Sequence, residues 1–561
     1  MAYLSKKISC FALLMTVLTE YNHCVTGIFT KLPWLYKIET EQLNYGVAVS
    51  DVDNDGDLEW IVAGFSGSNF VLKYNKKSGY LDNIAKRNTP YKNLMDPKGQ
   101  AIGVCACDID GDGREEIYFL NTNKAYSGMS SYSDKLFKWR NGQYEDILLD
   151  SINKNLQAKN YAGRSVACVD RFGSGKYSIA VATYSHGGKG NFALLEVDEF
   201  NSLTDRESGV LVIRNVAAET GISKSTGGRG LVVGPILNNN GLSDIFFANE
   251  GNEWIGNPGD NFLFKNLGNG TFVDIATETG ILDGKENGRG IALADLNNDG
   301  LLDIVNGNWE GKHRIFLQSK SQNGERYFRN VASAFFEQPS PIRTVLAADF
   351  DNNMQTDIFM NNILTDSKPQ PNYLYGVKVL LDSNITIVER DVGEAIEKEG
   401  YGTGAAYTDM NGDGVLELLI SHGESNKQPL SVYTAKQEKT FHNNWLRVKP
   451  LTRYGAPARG ALVSLNIDSG IRLTQVIDGG SGYLCQMEPV AHFGLGKHKA
   501  VTVEVLWTDG EKISKKLNDN EINKLIIIQH PVLENIYAET DIAKDNSKFN
   551  VTVSTTLKEE L

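Results

Sequence analysis

The sequence predicts an all-β protein, a seven-bladed β-propeller followed by a small β-rich domain. Three observations carry this reading. An acidic loop recurs seven times behind a short apolar strand, its copies beginning at positions 51, 108, 170, 236, 295, 349 and 409. Successive starts lie 54 to 66 residues apart, the length of one four-stranded blade. Each loop is followed by segments in which apolar and polar residues alternate, as in Phe70 to Tyr74, Leu136 to Trp139 and Phe272 to Ile275, which is the period of half-buried strands.

Taken in order, residues 1–7 carry two lysines, residues 8–18 are an apolar run, and Val25, Thr26 and Gly27 are small enough for cleavage. Residues 1–27 therefore have the layout of a secretory signal peptide. No run reaches the roughly 20 apolar residues of a transmembrane helix. Residues 28–32 resemble the outer strand that follows Thr271, and the seventh copy has no outer strand after it. They are expected to complete the last blade of a propeller spanning 28–438, since closure hides two strand edges. Residues 439–530 form the second domain, and 531–561 read as a flexible acidic tail.

Composition narrows the function classes. With 69 acidic and 56 basic residues the formal charge is −13, spread along the chain, which argues against a nucleic-acid binder. Beyond Cys10 and Cys24, only Cys105, Cys107, Cys168 and Cys485 remain, too few for a disulfide scaffold. Cys105 and Cys107 share one strand face, and Cys168 aligns with the other. Buried thiols and a bridge are both open. Asn269, Asn384 and Asn550 begin glycosylation triplets.

The loops carry the chemistry. Relative positions 1, 3, 5 and 9, with the backbone carbonyl of position 7, can wrap a hard cation, and oxygen-only ligands favour calcium. Those positions are Asp51, Asp53, Asp55, Asp57 and Glu59 in loop one, and Asp108, Asp110, Asp112, Arg114 and Glu116 in loop two. They are Asp295, Asn297, Asp299, Leu301 and Asp303 in loop five, and Asp349, Asp351, Asn353, Gln355 and Asp357 in loop six. Loop seven offers Asp409, Asn411, Asp413, Val415 and Glu417. Glycine at position 6 permits the sharp turn, except in loop six, where Met354 replaces it. An EF-hand would need Glu at position 12 and a following helix, whereas position 12 is Val62, Phe119, Asn306, Met360 or Ile420 in strand-like surroundings. Four to five structural calcium ions are expected, and none in the degenerate loops beginning at Asp170 and Ile236. Crowded carboxylates repel unless a cation or protons neutralise them, which simple turn chemistry does not require.

Enzyme signatures are weak. The eight histidines include no His-Glu-x-x-His, and neither a P-loop nor a nucleophile elbow is present. His422 follows a blade strand and reads as a packing or hydrogen-bonding residue, and His492 as structural. Arg164, Arg289 and Arg343 stand six residues before their loops, and Arg229 seven before its own. In a propeller they would surround one arc of the axial opening, away from the acidic loops. They suit either an acidic partner's carboxylate or sulfate groups or acids on neighbouring blades.

The loops with their strands resemble FG-GAP repeats, which form the seven-bladed calcium-binding head of integrin α chains. Residues 43–51, 102–121 and 419–425 resemble the cartilage acidic protein family, and 444–448, 458–461, 479–485, 492–496 and 503–510 are similar to its ASPIC/UnbV domain. The resemblance implies a non-enzymatic, secreted, calcium-binding glycoprotein of extracellular matrix or cell surface that binds other proteins. The family typically continues into a cysteine-rich EGF-like module, whereas residues 531–561 contain no cysteine. Lys558, Glu559, Glu560 and Leu561 resemble the Lys-Asp-Glu-Leu retrieval signal. Residence in the endoplasmic reticulum lumen is thus the rival to secretion, and an enzyme with its site in the propeller centre is the third reading.

Overall fold

The computed structural model describes residues 27–532 except 34–40, 123–127, 187–188, 203–208, 226, 239, 252–258, 366–367, 425 and 436–442. Residues 1–26 of the expected signal peptide, Asn550 and the retrieval-like tail lie outside the described residues. Seven four-stranded antiparallel sheets form a ring. Blade one is β2 (Asn44–Ser50), β3 (Glu59–Gly64), β4 (Phe70–Asn75) and β5 (Tyr80–Asn83); blade two is β6 (Ala101–Cys107), β7 (Glu116–Asn121), β8 (Lys135–Arg140) and β9 (Gln143–Asp146). Blade three is β10 (Gly163–Val169), β11 (Ser178–Thr183), β12 (Ala193–Val197) and β13 (Ile213–Asn215). Blade four is β14 (Gly228–Gly234), β15 (Asp244–Asn249), β16 (Phe262–Asn266) and β17 (Phe272–Asp274). Blade five is β18 (Gly288–Ala294), β19 (Asp303–Asn308), β20 (Arg314–Lys320) and β21 (Arg326–Asn330); blade six is β22 (Ile342–Ala348), β23 (Asp357–Asn362), β24 (Tyr373–Val379) and β25 (Ile385–Arg390). Blade seven combines β26 (Gly402–Thr408), β27 (Glu417–His422) and β28 (Ser431–Ala435) with β1 (Phe29–Lys31) from the other end of the chain.

Each blade's first strand packs against the first strand of the next, and β26 returns to β2. These strands are buried along nearly their whole length, whereas the fourth strands are largely exposed. Every first strand carries a register shift near its start, a bulge that bends the strand and re-aims the side chain within it. Small residues let the inner strands crowd. A Cβ on Gly404 would lie 2.2 Å from the Tyr45 carbonyl oxygen.

The second domain packs a three-stranded sheet, β32 (Ala491–Gly496), β29 (Asn444–Pro450) and β35 (Leu525–Ile528), on a four-stranded one, β31 (Arg472–Val476), β30 (Leu462–Ile467), β33 (Ala500–Leu506) and β34 (Lys512–Lys516). Leu446, Val463, Phe493, Val505 and Trp507 belong to the core between them.

The cysteines resolve as a Cys107–Cys168 disulfide joining β6 to β10, with Cys105 and Cys485 free and buried. Opposite strand faces do not keep the pair apart. Blades stack face to face, so the back of one first strand meets the front of the next. Burial pushes the Cys485 thiol up to about 12, which makes it a packing group rather than a nucleophile.

Phe29 is fully buried, with ring centroids 5.0 Å from Phe350 and 5.8 Å from Phe359 in blade six. Replacing it by alanine is expected to cost about 3–5 kcal/mol and to destabilise the whole ring, read as a lower denaturation midpoint. A midpoint equal to the wild type's would mean that β1 does not staple the ring.

Candidate functional site

The acidic loops share one hydrogen-bond scheme. The first carboxylate folds the loop around itself: Asp51 accepts from Asp55 N at 3.0 Å and Gly56 N at 2.9 Å, and Asp295 from Asp299 N at 3.1 Å and Gly300 N at 2.9 Å. Asp108, Asp349 and Asp409 accept likewise. The last carboxylate reaches back to position 2, with Glu59 accepting from Val52 N at 2.8 Å and Asp303 from Leu296 N at 2.8 Å. Position 6 has positive φ throughout, 95° at Gly56 and 80° at Gly300, and Met354 adopts it at 73°. A non-glycine residue there is strained, and Met354 packs its side chain against the core of the second domain.

Burial and like charge push these carboxyls upward: Asp295 to about 7 and Glu59 to about 8, with Asp303 and Glu417 also well above the usual carboxylate range. The donor set fits a hard cation. Ligand atoms converge in two triplets, Asp51, Asp53 and Glu59, and Asp108, Asp110 and Glu116, lying within 4.8 Å of one another in each. Buried oxygens of Asp53, Glu59, Asp110, Asp351 and Asp357 lack a hydrogen-bond partner, and an oxygen-seeking divalent ion would satisfy them.

Protein cations also reach the loops. Lys73 Nζ lies 2.6 Å from both Asp53 and Asp55 and 3.3 Å from Glu59. Lys138 Nζ, fully buried, lies 2.8 Å from Asp110 and 3.2 Å from Glu116 and also pairs with Asp112. Arg390 pairs with Asp357 at 2.6 Å and with Asp351. The degenerate loops are closed by other means: Thr508 donates to Asp170 at 2.6 Å, and Asn238 to Asp244 at 2.7 Å.

The second domain covers the loop side of the ring. Arg459, 1% exposed, donates to Glu115 at 2.6 Å and to the Val49 carbonyl at 3.0 Å. Arg447 joins Asp409, at 3.2 Å, to Glu488. His492 bonds Asn352 at 2.7 Å, and burial holds it neutral, its pKa down at about 3.

From this domain, residues 479–487 enter the axis. Gly479 O accepts from Cys168 N at 2.8 Å, Gly482 exchanges bonds of 2.7 and 2.8 Å with Ile291, and Leu484 O accepts from Val104 N at 3.4 Å. Gln486 pairs with Val47 and Val49 through its backbone and with Ala106 through its side chain. A Cβ on Gly46 would lie 2.2 Å from the Leu484 carbonyl oxygen. In the sequence, Gly479 to Cys485 carries only the pattern of a domain motif. The glycines five residues before the loop starts are a signal mainly for blade packing, since Gly103, Gly290 and Gly404 face the next blade's first strand, and only Gly46 marks the approach of this segment.

The arginines gather at the other end of the first strands, in or beside the bulges. Arg229 Nε donates to Glu250 at 2.6 Å, Arg289 pairs with Glu250 at 2.6 Å, and Arg343 Nε donates to Glu424 at 3.0 Å. Arg343 lies 3.8 Å from the Trp309 ring centroid, and Arg164 donates to the Gly163 carbonyl. All four are buried, so the arc is an ion-paired brace rather than an open basic surface. Glu250 and Glu424 belong to blades four and seven, so neighbouring blades supply the acids of Arg289 and Arg343. His422 hydrogen-bonds Glu397 at 3.0 Å and the Pro429 carbonyl. Asn269 is exposed, and Asn384 bonds Asp382 in an exposed turn.

Fold and loops together define a propeller of acidic-loop repeats closed by its own C-terminal domain. Residues 51–119 and 237–306 match the FG-GAP-like repeat family, and 452–535 the ASPIC and UnbV family. The chain is 53% identical over 505 residues to cartilage acidic protein 1 of Xenopus tropicalis, covering 90% of this chain and 76% of that protein. It is 54% identical over 522 residues to the Homo sapiens protein of the same name, covering 92% and 77%. The chain belongs to the cartilage acidic protein 1 family. Among solved structures, BBS1N in complex with ARL6DN aligns with a TM-score of 0.38 at 10% identity over 73% of this chain and 98% of that one. The Dos1 propeller aligns with a TM-score of 0.34 at 11% identity over 73% and 94%.

Metal-free loops should make stability depend on pH. Asp295 holds its proton to about 7 when folded but releases it near 4 when unfolded. Its contribution is therefore present at low pH and lost as pH rises through 7. In chelator the melting temperature is expected to fall between pH 5 and 8, and saturating calcium to restore it. A melting profile insensitive to calcium at pH 8 would remove the metal from the account.

Proposed function

We propose that the chain is a secreted, calcium-stabilised glycoprotein that works by binding other proteins at the cell surface or in the matrix. The observation that supports this most is the filled axis. Residues 479–487 occupy the centre of the ring, where the third reading put an enzyme's site, and the second domain covers the loop side. That leaves outer surfaces for function. Among the described residues, no helix is long and apolar enough to cross a membrane. A family relationship to proteins named for cartilage favours the matrix over the lumenal reading.

Calcium in this proposal is structural. Ligands drawn from positions 1, 3, 5 and 9 of the five acidic loops would bind it, and the ion would supply the charge that otherwise has to come from protons. An acidic partner at the mouth opposite the loops would engage Arg164, Arg229, Arg289 and Arg343 by displacing Glu250 and Glu424.

Expression of the full chain in animal cells tests the location. Recovery from the medium, shifted in mass by glycosidase, is the expected result. Retention in the lysate, relieved by removing Leu561, would replace the extracellular assignment with a lumenal one.

A further inference from the structure

The position facing the last loop carboxylate, one strand further out, sorts the loops into two kinds. The register places Trp60 opposite Leu72 and Ile117 opposite Phe137, so the next pairs are Glu59 with Lys73 and Glu116 with Lys138. In blade five the same register puts Leu317 opposite Asp303, and in blade seven Thr434 opposite Glu417. Lys73 and Lys138 therefore extend from β4 and β8 into the centre of loops one and two. Their ammonium groups stand among the carboxylates that a metal would use, at 2.6 to 3.3 Å.

An ammonium has three protons and cannot serve every lone pair gathered there. Lys73 reaches Asp53 through Oδ2 and Lys138 reaches Asp110 through Oδ2, so the buried Oδ1 of each aspartate keeps no hydrogen bond, the Asp110 side chain being 4% exposed. The sites are thus occupied by a cation of their own yet retain oxygens suited to a divalent one.

We propose that Lys73 and Lys138 are tethered counter-cations, so that calcium enters loops one and two only by displacing an ammonium, whereas loop five, which pairs with no lysine or arginine among the described residues, takes calcium directly. This rests on the reading that the loops bind calcium. Loops one and two then remain neutralised and folded at low calcium, and exchange one cation for another as calcium rises. The exchange swings each lysine outward into solvent.

Amine acetylation of the full-length protein, read by mass spectrometry, tests the exchange directly. Lys138, and less strongly Lys73, should resist acetylation in chelator and become reactive in millimolar calcium, while Lys76, 60% exposed, reacts in both. Calcium counting by equilibrium dialysis supplies the second readout. The wild type should fill two classes of site separated by about tenfold or more in calcium, a gap of about 1.4 kcal/mol. Lys73→Met with Lys138→Met should shift loops one and two into the tight class, and Asp299→Asn should remove the loop-five site from it while leaving the weak class unchanged. Lysines whose protection ignores bound calcium, or one class of sites unchanged by the lysine substitutions, would overturn the proposal. A wild type that binds no calcium at all would instead overturn the calcium reading beneath it.

Discussion

A propeller's first strands turn an unpaired edge toward the axis, and the rest of this structure follows from how that edge is satisfied. Buried backbone N–H and C=O groups left without partners cost free energy comparable to lost hydrogen bonds. Here the partners come from residues 479–487, whose carbonyls take the N–H groups of Val49, Val104, Cys168 and Ile291 in four different blades. A regular strand could pair with only one or two edges. Gly479, Gly480 and Gly482, the last two with φ of 148° and 63°, let one short segment turn from blade to blade. The second domain is therefore part of the propeller's core, although its own sheets enclose a separate one.

The loops serve that arrangement as a platform. Asp170, Asp409 and Asn352 each bond a side chain of the second domain, namely Thr508, Arg447 and His492. Glu115, in loop two, receives Arg459, itself among the largest fully buried side chains. Removing one partner of such a pair strands a buried charge, which is far more costly than losing an exposed ion pair. Loop geometry, domain docking and axial closure are thus one linked system, and neutralising the loops bears on all three.

Much of this was legible in the sequence, for a physical reason. Seven repetitions of one acidic pattern, each followed by alternating segments, specify strands, turns and a ring because each level repeats the same instruction. The segment 479–487 was not legible, because Gly-Gly-Ser-Gly has the composition of any surface turn. What distinguishes it is the backbone it meets, such as Gly46, where a Cβ would lie 2.2 Å from the Leu484 carbonyl oxygen, on a strand hundreds of residues away. The disulfide was hidden for a related reason. Face assignments within a strand say nothing of which face meets the next blade, and only stacking brings Cys107 to Cys168. The arginines were visible as a set, but not Glu250 and Glu424, since these acids lie on loops that no period governs.

The lysines were hidden by register, and register explains more than their two loops. Blade three has Ser178 where the others have the last carboxylate, and the residue facing it is Glu196 rather than a lysine. Its cation comes from the loop instead, with Arg171 donating to Glu196 at 2.8 and 2.9 Å. Blade six leaves the facing position to Gly376 and brings Arg390 from its outermost strand to Asp357. Blade four also has a lysine, Lys265, facing Asp244, but there the hydrogen bonds to the carboxylate come from an asparagine amide and backbone N–H groups. One position in the repeat therefore carries a fixed electrostatic requirement that different blades meet with different groups. Loop five, with Leu317 in that place, is the acidic loop for which no Lys or Arg ion pair is found among the described residues. There the demand for a cation falls on solvent.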